Sequence, residues 1–165
     1  MRHLHWFRTD LRLNDNMALA SHAAADSLLC LYLMPKPKPW CNITGIGPQR
    51  ERFLRESLAE LKQSLEALGQ NLLVLEGSPE LVIPHLVERY GITEMSVSDH
   101  PGWEEKQSIT YLTEKLTIPV QVHRGNTLFT EHDLPMNLDA LPTVFSPFRR
   151  HVEKLVVRGP REAPE

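Results

Sequence analysis

The side chains best placed to do chemistry follow the first apolar run of the chain, in the string Trp6-Phe7-Arg8-Thr9-Asp10-Leu11-Arg12-Leu13-Asn14-Asp15-Asn16. If His3 to Phe7 forms a strand of a parallel sheet, Arg8, Asp10, Arg12 and Asp15 fall at its carboxyl end, where α/β sheets open their ligand crevice. The same four charges also suit pairing with one another around a tight turn. Eight histidines raise the question of metal. His3 and His5 alternate on the strand and share a face, which reads as packing or solvent contact. His22, His85, His100, His123, His132 and His151 are scattered singly without a recurring ligand spacing, so no metal is assigned. G-x-G-x-x-G, P-loop, G-x-S-x-G and H-E-x-x-H patterns do not occur, and no Ser/His pairing in the sequence justifies a triad.

These residues need a scaffold, and its outline follows from hydrophobic periodicity. Short apolar runs at His3 to Phe7, Ser27 to Leu33, Asn71 to Leu75, Glu94 to Val97 and Pro119 to Val122 alternate with stretches of helical period. That alternation predicts βαβ units on a parallel sheet of five strands. The clearest helix opens at Gly47-Pro48, carries Leu54, Leu58, Leu61, Leu65 and Leu68 at spacings of four and three, and ends at Gly69. Another runs from Ser78-Pro79 to Gly91 with Val82, Ile83, Leu86 and Val87 inward, and Pro84 within it predicts a kink or a later start. Helices are also expected over Met17 to Ala25, Trp103 to Leu116 and Phe145 to Val157. The segment Met34 to Gly47 is rich in proline and without period, a surface loop. Gly125 to Thr143 is irregular, and the polar tail Arg158 to Glu165 reads as a linker. The fold expected is a Rossmann-like, doubly wound α/β domain with helices on both faces. Its first strand should be central, since crossovers to opposite faces require a reversal of strand order beside it.

Composition bounds the role. The chain has 165 residues, 41% apolar and 24% charged, with a net charge of −3. Such a chain can bury a full core without disulfides or a structural metal. Its two cysteines, Cys30 and Cys41, fit no metal pattern, nothing resembles a secretory signal, and no apolar run approaches the ~18 to 20 residues of a membrane span. A reduced, cytoplasmic protein is expected. Without a basic stripe the chain lacks the footprint of a stand-alone duplex DNA binder.

The string WFRTDLRLNDN resembles the W-F-R-x-D-L-R-x-x-D-N segment that opens DNA photolyases and cryptochromes. The likeness continues at Gly47 to Leu58 (GPQRERFLRESL), at Leu72 to Leu81 (LLVLEGSPEL) and at Leu141 to Glu153 (LPTVFSPFRRHVE). Gly125 to Leu134 (GNTLFTEHDL), followed by Pro135, is similar to the cryptochrome DASH branch. His132, Met136 and Asp99 to Trp103 (DHPGW) depart from it.

The resemblance implies that residues 1–144 form the family's light-harvesting antenna domain and that residues 145–165 form a helix and the start of a linker to a larger helical, FAD-binding domain. In such proteins an antenna, most often methenyltetrahydrofolate and otherwise deazaflavin or FMN, passes excitation to reduced FAD. The flavin then splits cyclobutane dimers in UV-damaged DNA, a carbon–carbon lyase reaction. This chain alone is not expected to be catalytic. By alignment Glu104 matches the glutamate that hydrogen-bonds the pterin ring, a role suited to a carboxylate, which can accept two parallel N–H bonds. An acid in the first turn of a helix is also stabilised by the dipole, by ~0.3 to 1 kcal/mol, with no ligand at all. Trp103 beside it would stack on the ring or simply stand exposed at the helix start. Phe7, Arg8 and Asp10 would line the same edge, the latter two also suited to structural ion pairs. Lys36 and Lys38 would neutralise a glutamate tail or phosphate, or serve as ordinary surface lysines. Two other readings stay open: a blue-light-sensing cryptochrome without repair activity, and a stand-alone nucleotide-binding module. An exposed apolar stripe on the last helix would allow weak homodimerisation.

Overall fold

The computed structural model describes residues 1–35, 39–40 and 43–163. Lys36, Lys38 and Cys41 lie outside these. Chain order runs β1 (Arg2–Phe7), α1 (Met17–Ala20), β2 (Ser27–Met34), β3 (Pro39–Trp40), β4 (Ile43–Thr44), α2 (Pro48–Ala67), β5 (Leu72–Glu76), α3 (Pro79–Tyr90), β6 (Glu94–Ser98), α4 (Trp103–Lys115), β7 (Val120–His123), a 3-10 turn (Leu138–Ala140) and α5 (Phe145–Val152). Five strands form one parallel sheet in the order β5-β2-β1-β6-β7. β1 is central, as expected, and the order reverses beside it, which opens a crevice at the carboxyl ends of β1 and β6.

The pleat divides the strand residues between two layers. Leu4 and Trp6 of β1 join Leu31 and Leu33 of β2 and Met95 and Val97 of β6 against Ile83 and Leu86 of α3 and Ile109 and Leu112 of α4. On the opposite face Phe7, Cys30, Tyr32 and Leu72 pack with Leu19 of α1 and Leu58, Leu61 and Leu65 of α2. Each fully buried Leu or Ile contributes about 1.5–3 kcal/mol relative to an exposed one, so the two layers dominate stability. In parallel strands, residues in register share a face. His3 registers with Glu94, His5 with Ser96, Ser96 with Gln121, and Ser98 with His123. The β1–β6–β7 part of the α1 face is therefore polar.

α2 starts at Pro48 behind Gly47 and carries Glu51–Arg55 and Arg52–Glu56 pairs at 2.8 Å each. Exposed pairs of this kind add only about 0.3–0.5 kcal/mol apiece. α3 begins at Pro79 and continues through Pro84, so the later start does not occur. It closes at Gly91, whose φ of 60° and ψ of 45° favour glycine. No helix among the described residues is long and apolar enough to cross a membrane.

The structure differs from the periodicity in three places. α1 stops at Ala20, where Ser21 Oγ bonds the Ala18 carbonyl at 2.8 Å and the chain turns to carry His22 into the polar layer. The proline-rich loop contains the short antiparallel pair β3–β4. α5 ends at Val152, and the following tail folds back across the β1–α1 turn. Arg158 Nη1 donates to Asp15 Oδ1 at 2.8 Å, Asp15 N to the Arg161 carbonyl at 2.8 Å, and Ala163 N to Asn14 Oδ1 at 2.9 Å. Asp15 itself holds a φ of 51°, a conformation that costs a non-glycine residue about 1 kcal/mol or more.

Candidate functional site

Asp10, only 5% exposed, knots the carboxyl edge of the sheet. Its carboxylate accepts from Arg8 N at 3.0 Å, Ser98 Oγ at 2.6 Å and Asn16 Nδ2 at 3.3 Å. Asn16 in turn caps α1 by accepting from Leu19 N at 3.0 Å. One carboxylate thus ties the end of β1 to the end of β6 and to the first helix. Arg8 stacks over Trp6, 4.8 Å from the ring centroid, and its Nη1 donates to the Glu105 carbonyl at 3.4 Å. Burial lowers its pKa, while the carboxylates of Glu105, Asp10 and Asp99 act in the opposite sense. Among the described residues the turn does hold the pair Arg12–Asp15, at 4.0 Å, but Asp15 sits closer to Arg158 of the tail. Phe7 is fully buried, edge-on to His5 with ring centroids 4.3 Å apart.

The loop after β6 shapes the start of α4. His100 N donates to Asp99 Oδ1 at 2.8 Å, and Gly102 N donates to His100 Nδ1 at 3.0 Å. A Cβ at Gly102 would collide with Glu105 Oε2, so glycine lets that side chain fold over the helix start. Trp103 is 74% exposed, and Glu104 is exposed with no hydrogen bond among the described residues. The structure brings Arg8 to this helix start through Glu105. Phe7 and Asp10 stay in the interior.

Beside this edge lies a cavity of about 660 Å3. Its walls are apolar, with Leu128, Phe129, Leu134, Leu138 and Phe148, while Lys106 and Arg124 bring positive charge. Arg124 is paired with Glu131, whereas Lys106 has no carboxylate partner among the described residues. Asn126 bonds the Asp99 carbonyl and so moors this segment to the end of β6. Trp103 and Glu104 stand in the chain between Pro101 and Lys106, both of which line the cavity. None of the five residues singled out from sequence lines it. In the sequence the wall residues after the last strand read only as irregular. Their signal was present: large apolar side chains in a stretch without period must be buried against something or enclose a space.

A second constellation lies on the α1 face of β1 and β6. His3, His5 and His22 are buried, and so is Ser96. Ser96 Oγ donates to the Ala18 carbonyl at 2.8 Å, an oxygen that can only accept. Ser96 must therefore accept from His22 Nε2 at 2.5 Å and His5 Nδ1 at 2.8 Å. With its proton on Nε2, His22 presents a bare Nδ1, which His3 Nδ1 approaches at 2.9 Å. The tautomers follow from this network. Burial lowers the pKa of His5 to about 3 and, with the neighbouring His3 and His123, that of His22 to about 4. These two rings are neutral near pH 7. The Nε2 atoms of His3 and His5 are buried without a partner.

Comparison with known proteins agrees with this architecture. The chain is 36% identical over 162 residues to cryptochrome DASH of Gloeobacter violaceus, covering 94% of this chain and 32% of that protein. It is 34% identical over 154 residues to cryptochrome DASH of Idiomarina loihiensis, covering 90% of this chain and 34% of that protein. A cryptochrome structure from Synechocystis sp. PCC6803 superimposes with a TM-score of 0.90 at 30% identity, over 98% of this chain and 35% of that one. The chain thus spans about a third of the length of these relatives. The DNA photolyase family profile matches residues 3–165, and the chain belongs to that family.

Proposed function

We propose that this domain is a light-harvesting unit that holds a flat heteroaromatic antenna against the carboxyl edge of β6 and the start of α4. The observation that carries the reading is the cavity of about 660 Å3 beside that edge, a size in the range of small-molecule sites. Its chemistry fits such a group: apolar walls for a ring system, and Lys106 for an anionic tail. Glu104, solvent-facing at the start of α4, accepts N–H bonds from a pterin edge, and the exposed Trp103 offers a stacking surface. Arg8 and Asp10 hold the β1 edge and the α4 start in place, and Phe7 underpins β1 from the core. Methenyltetrahydrofolate is the antenna that this donor set suits. When bound, the antenna supplies near-ultraviolet or blue absorption and passes excitation onward. In the longer protein, a helical domain with reduced FAD uses it to reverse cyclobutane dimers in DNA.

Titration of the purified chain with methenyltetrahydrofolate, followed by fluorescence anisotropy, tests the reading. Saturable binding, weakened about tenfold by Glu104→Gln, is the expected result, since a tenfold loss is what ~1.4 kcal/mol of hydrogen bonding supplies. Binding of FMN or a deazaflavin in its place would change the antenna's identity. Absence of binding by all three, or equal binding by the variant, would overturn the assignment. Self-association belongs to the same reading: α5 leaves Phe145 70% exposed while Phe148, Val152 and Leu155 are half-buried. Sedimentation velocity should show weak, concentration-dependent dimers that Phe148→Asp disperses. A monomer at every concentration would remove this part.

A further inference from the structure

We propose that His3, His22 and Glu94 form a binding site for a divalent transition-metal cation of the zinc class. The three residues come from the start of β1, the turn after α1 and the start of β6, at the opposite end of the sheet from the cavity. Each offers one ligating atom, and these atoms lie within 4.8 Å of one another. Two imidazoles and a carboxylate are a standard three-residue zinc set, with a fourth position left for water. Ligand atoms on a tetrahedral zinc with bonds of about 2.0–2.1 Å stand about 3.3 Å apart. The His3 and His22 Nδ1 atoms already approach to 2.9 Å. Glu94 is half-buried at the first position of its strand, so its side chain has the freedom to close the remaining gap and the site has a way in from solvent.

The surroundings of His22 and Glu94 match what a metal site requires. Ligating side chains are held by hydrogen bonds through their remaining polar atoms. Ser96, locked on the Ala18 carbonyl, fixes the proton of His22 on Nε2 and so aims a bare Nδ1 at His3. Gln121 Nε2 donates to Glu94 Oε1 at 2.7 Å. His3 is not held in this way. Its Nε2 is buried without a partner. A cation on Nδ1 would move the His3 proton from Nδ1 to that empty Nε2 through solvent. The bound ion would join the α1–β2 turn to both strands.

The test uses the tag-free chain with cobalt(II) and zinc alone. Cobalt should bind at about one equivalent, with the visible ligand-field bands of a four-coordinate nitrogen and oxygen site, and zinc should displace it. Zinc should raise the melting temperature and a chelator should reverse the rise. Glu94→Gln, which keeps shape and fold, should weaken binding at least tenfold, and His22→Asn should abolish the bands. His85→Asn, away from the cluster, should change nothing. Long-range nitrogen–proton correlation spectra should show His3 switch from the Nδ1–H to the Nε2–H tautomer on adding zinc. Should His22→Asn fail to fold, that spectrum and Glu94→Gln still decide. No uptake by the wild-type chain, equal uptake by Glu94→Gln, or an unmoved His3 tautomer would each overturn the proposal.

Discussion

The two faces of the β1–β6 pair are built on opposite principles. Toward α3 and α4 the strands offer Leu4, Trp6, Met95 and Val97, all buried and apolar. Toward α1 the same strands offer His3, His5, Ser96 and Ser98, equally buried and polar. The first face gains stability in proportion to area and tolerates approximate fits. The second is neutral or costly unless each donor meets an acceptor, but it admits essentially one arrangement of the α1 segment. An apolar layer holds this domain together, and a polar layer decides how its first helix and the following turn are placed.

Deleting methyl groups from the apolar layer should have the largest effect on stability. Ile83→Ala or Leu112→Ala, both at fully buried positions, should cost about 2–5 kcal/mol in chemical denaturation. A cost below about 1 kcal/mol would break the contrast between the faces. Cys30 sharpens it by reactivity. Burial in the α2 layer pushes the thiol up to about 12, from an ordinary 9.0, so it should label about a thousandfold more slowly in the folded chain than in urea. Peptide mapping of a maleimide time course checks this, and equal rates would mean that the layer opens readily.

Ser96→Ala probes the polar face more gently. It removes one hydroxyl and orphans His5 Nδ1 and His22 Nε2, while the Ala18 carbonyl keeps Ser21 Oγ, a loss of about 1–3 kcal/mol. The same substitution should loosen α1 first, which amide exchange at Leu19 and Ala20 would report. A uniform change across the sheet would show that the polar layer does not position α1 separately. Asp15→Asn should have the smallest effect, below about 1 kcal/mol, because its partner Arg158 is exposed. Arg158 holds the Asp15 carboxyl below its usual pKa, so this contribution is present above the unfolded-state value and is lost as the pH falls through the lowered, folded-state one. Tail protection from proteolysis should decline over the same acid range in the wild type and be weaker and without that pH dependence in the variant.

Much of this molecule was legible in the order of its residues. Strand boundaries came within one residue for β1, β2, β5, β6 and β7, because each reads as a short apolar run between stretches of helical period. α2, α3 and α4 were equally plain, each opened by proline or an acid-rich turn behind a glycine or serine and carrying leucine and isoleucine at helical spacing. The candidate site was legible only in part. Arg8 and Asp10 follow from their position after a strand, and Trp103 and Glu104 from the family resemblance at the start of α4. That Asp10 is a buried knot, while Glu104 faces solvent, depends on what other segments cover.

Periodicity and chain-start motifs determined the fold class, the central first strand and the family, since each is a property of neighbouring residues along the chain. Only the tertiary structure decided the pairing of His3 with His22, of His22 with Ser96 and of His5 with Ser96, at separations of 19, 74 and 91 residues. It also decided that the tail closes on Asp15 and that the irregular segment after β7 walls a cavity. The physical reason is the same in all these cases. A hydrogen bond or a cavity wall needs two surfaces brought together by the crossovers of the sheet, and no local pattern records which polar side chain will be opposite which once those crossovers have packed.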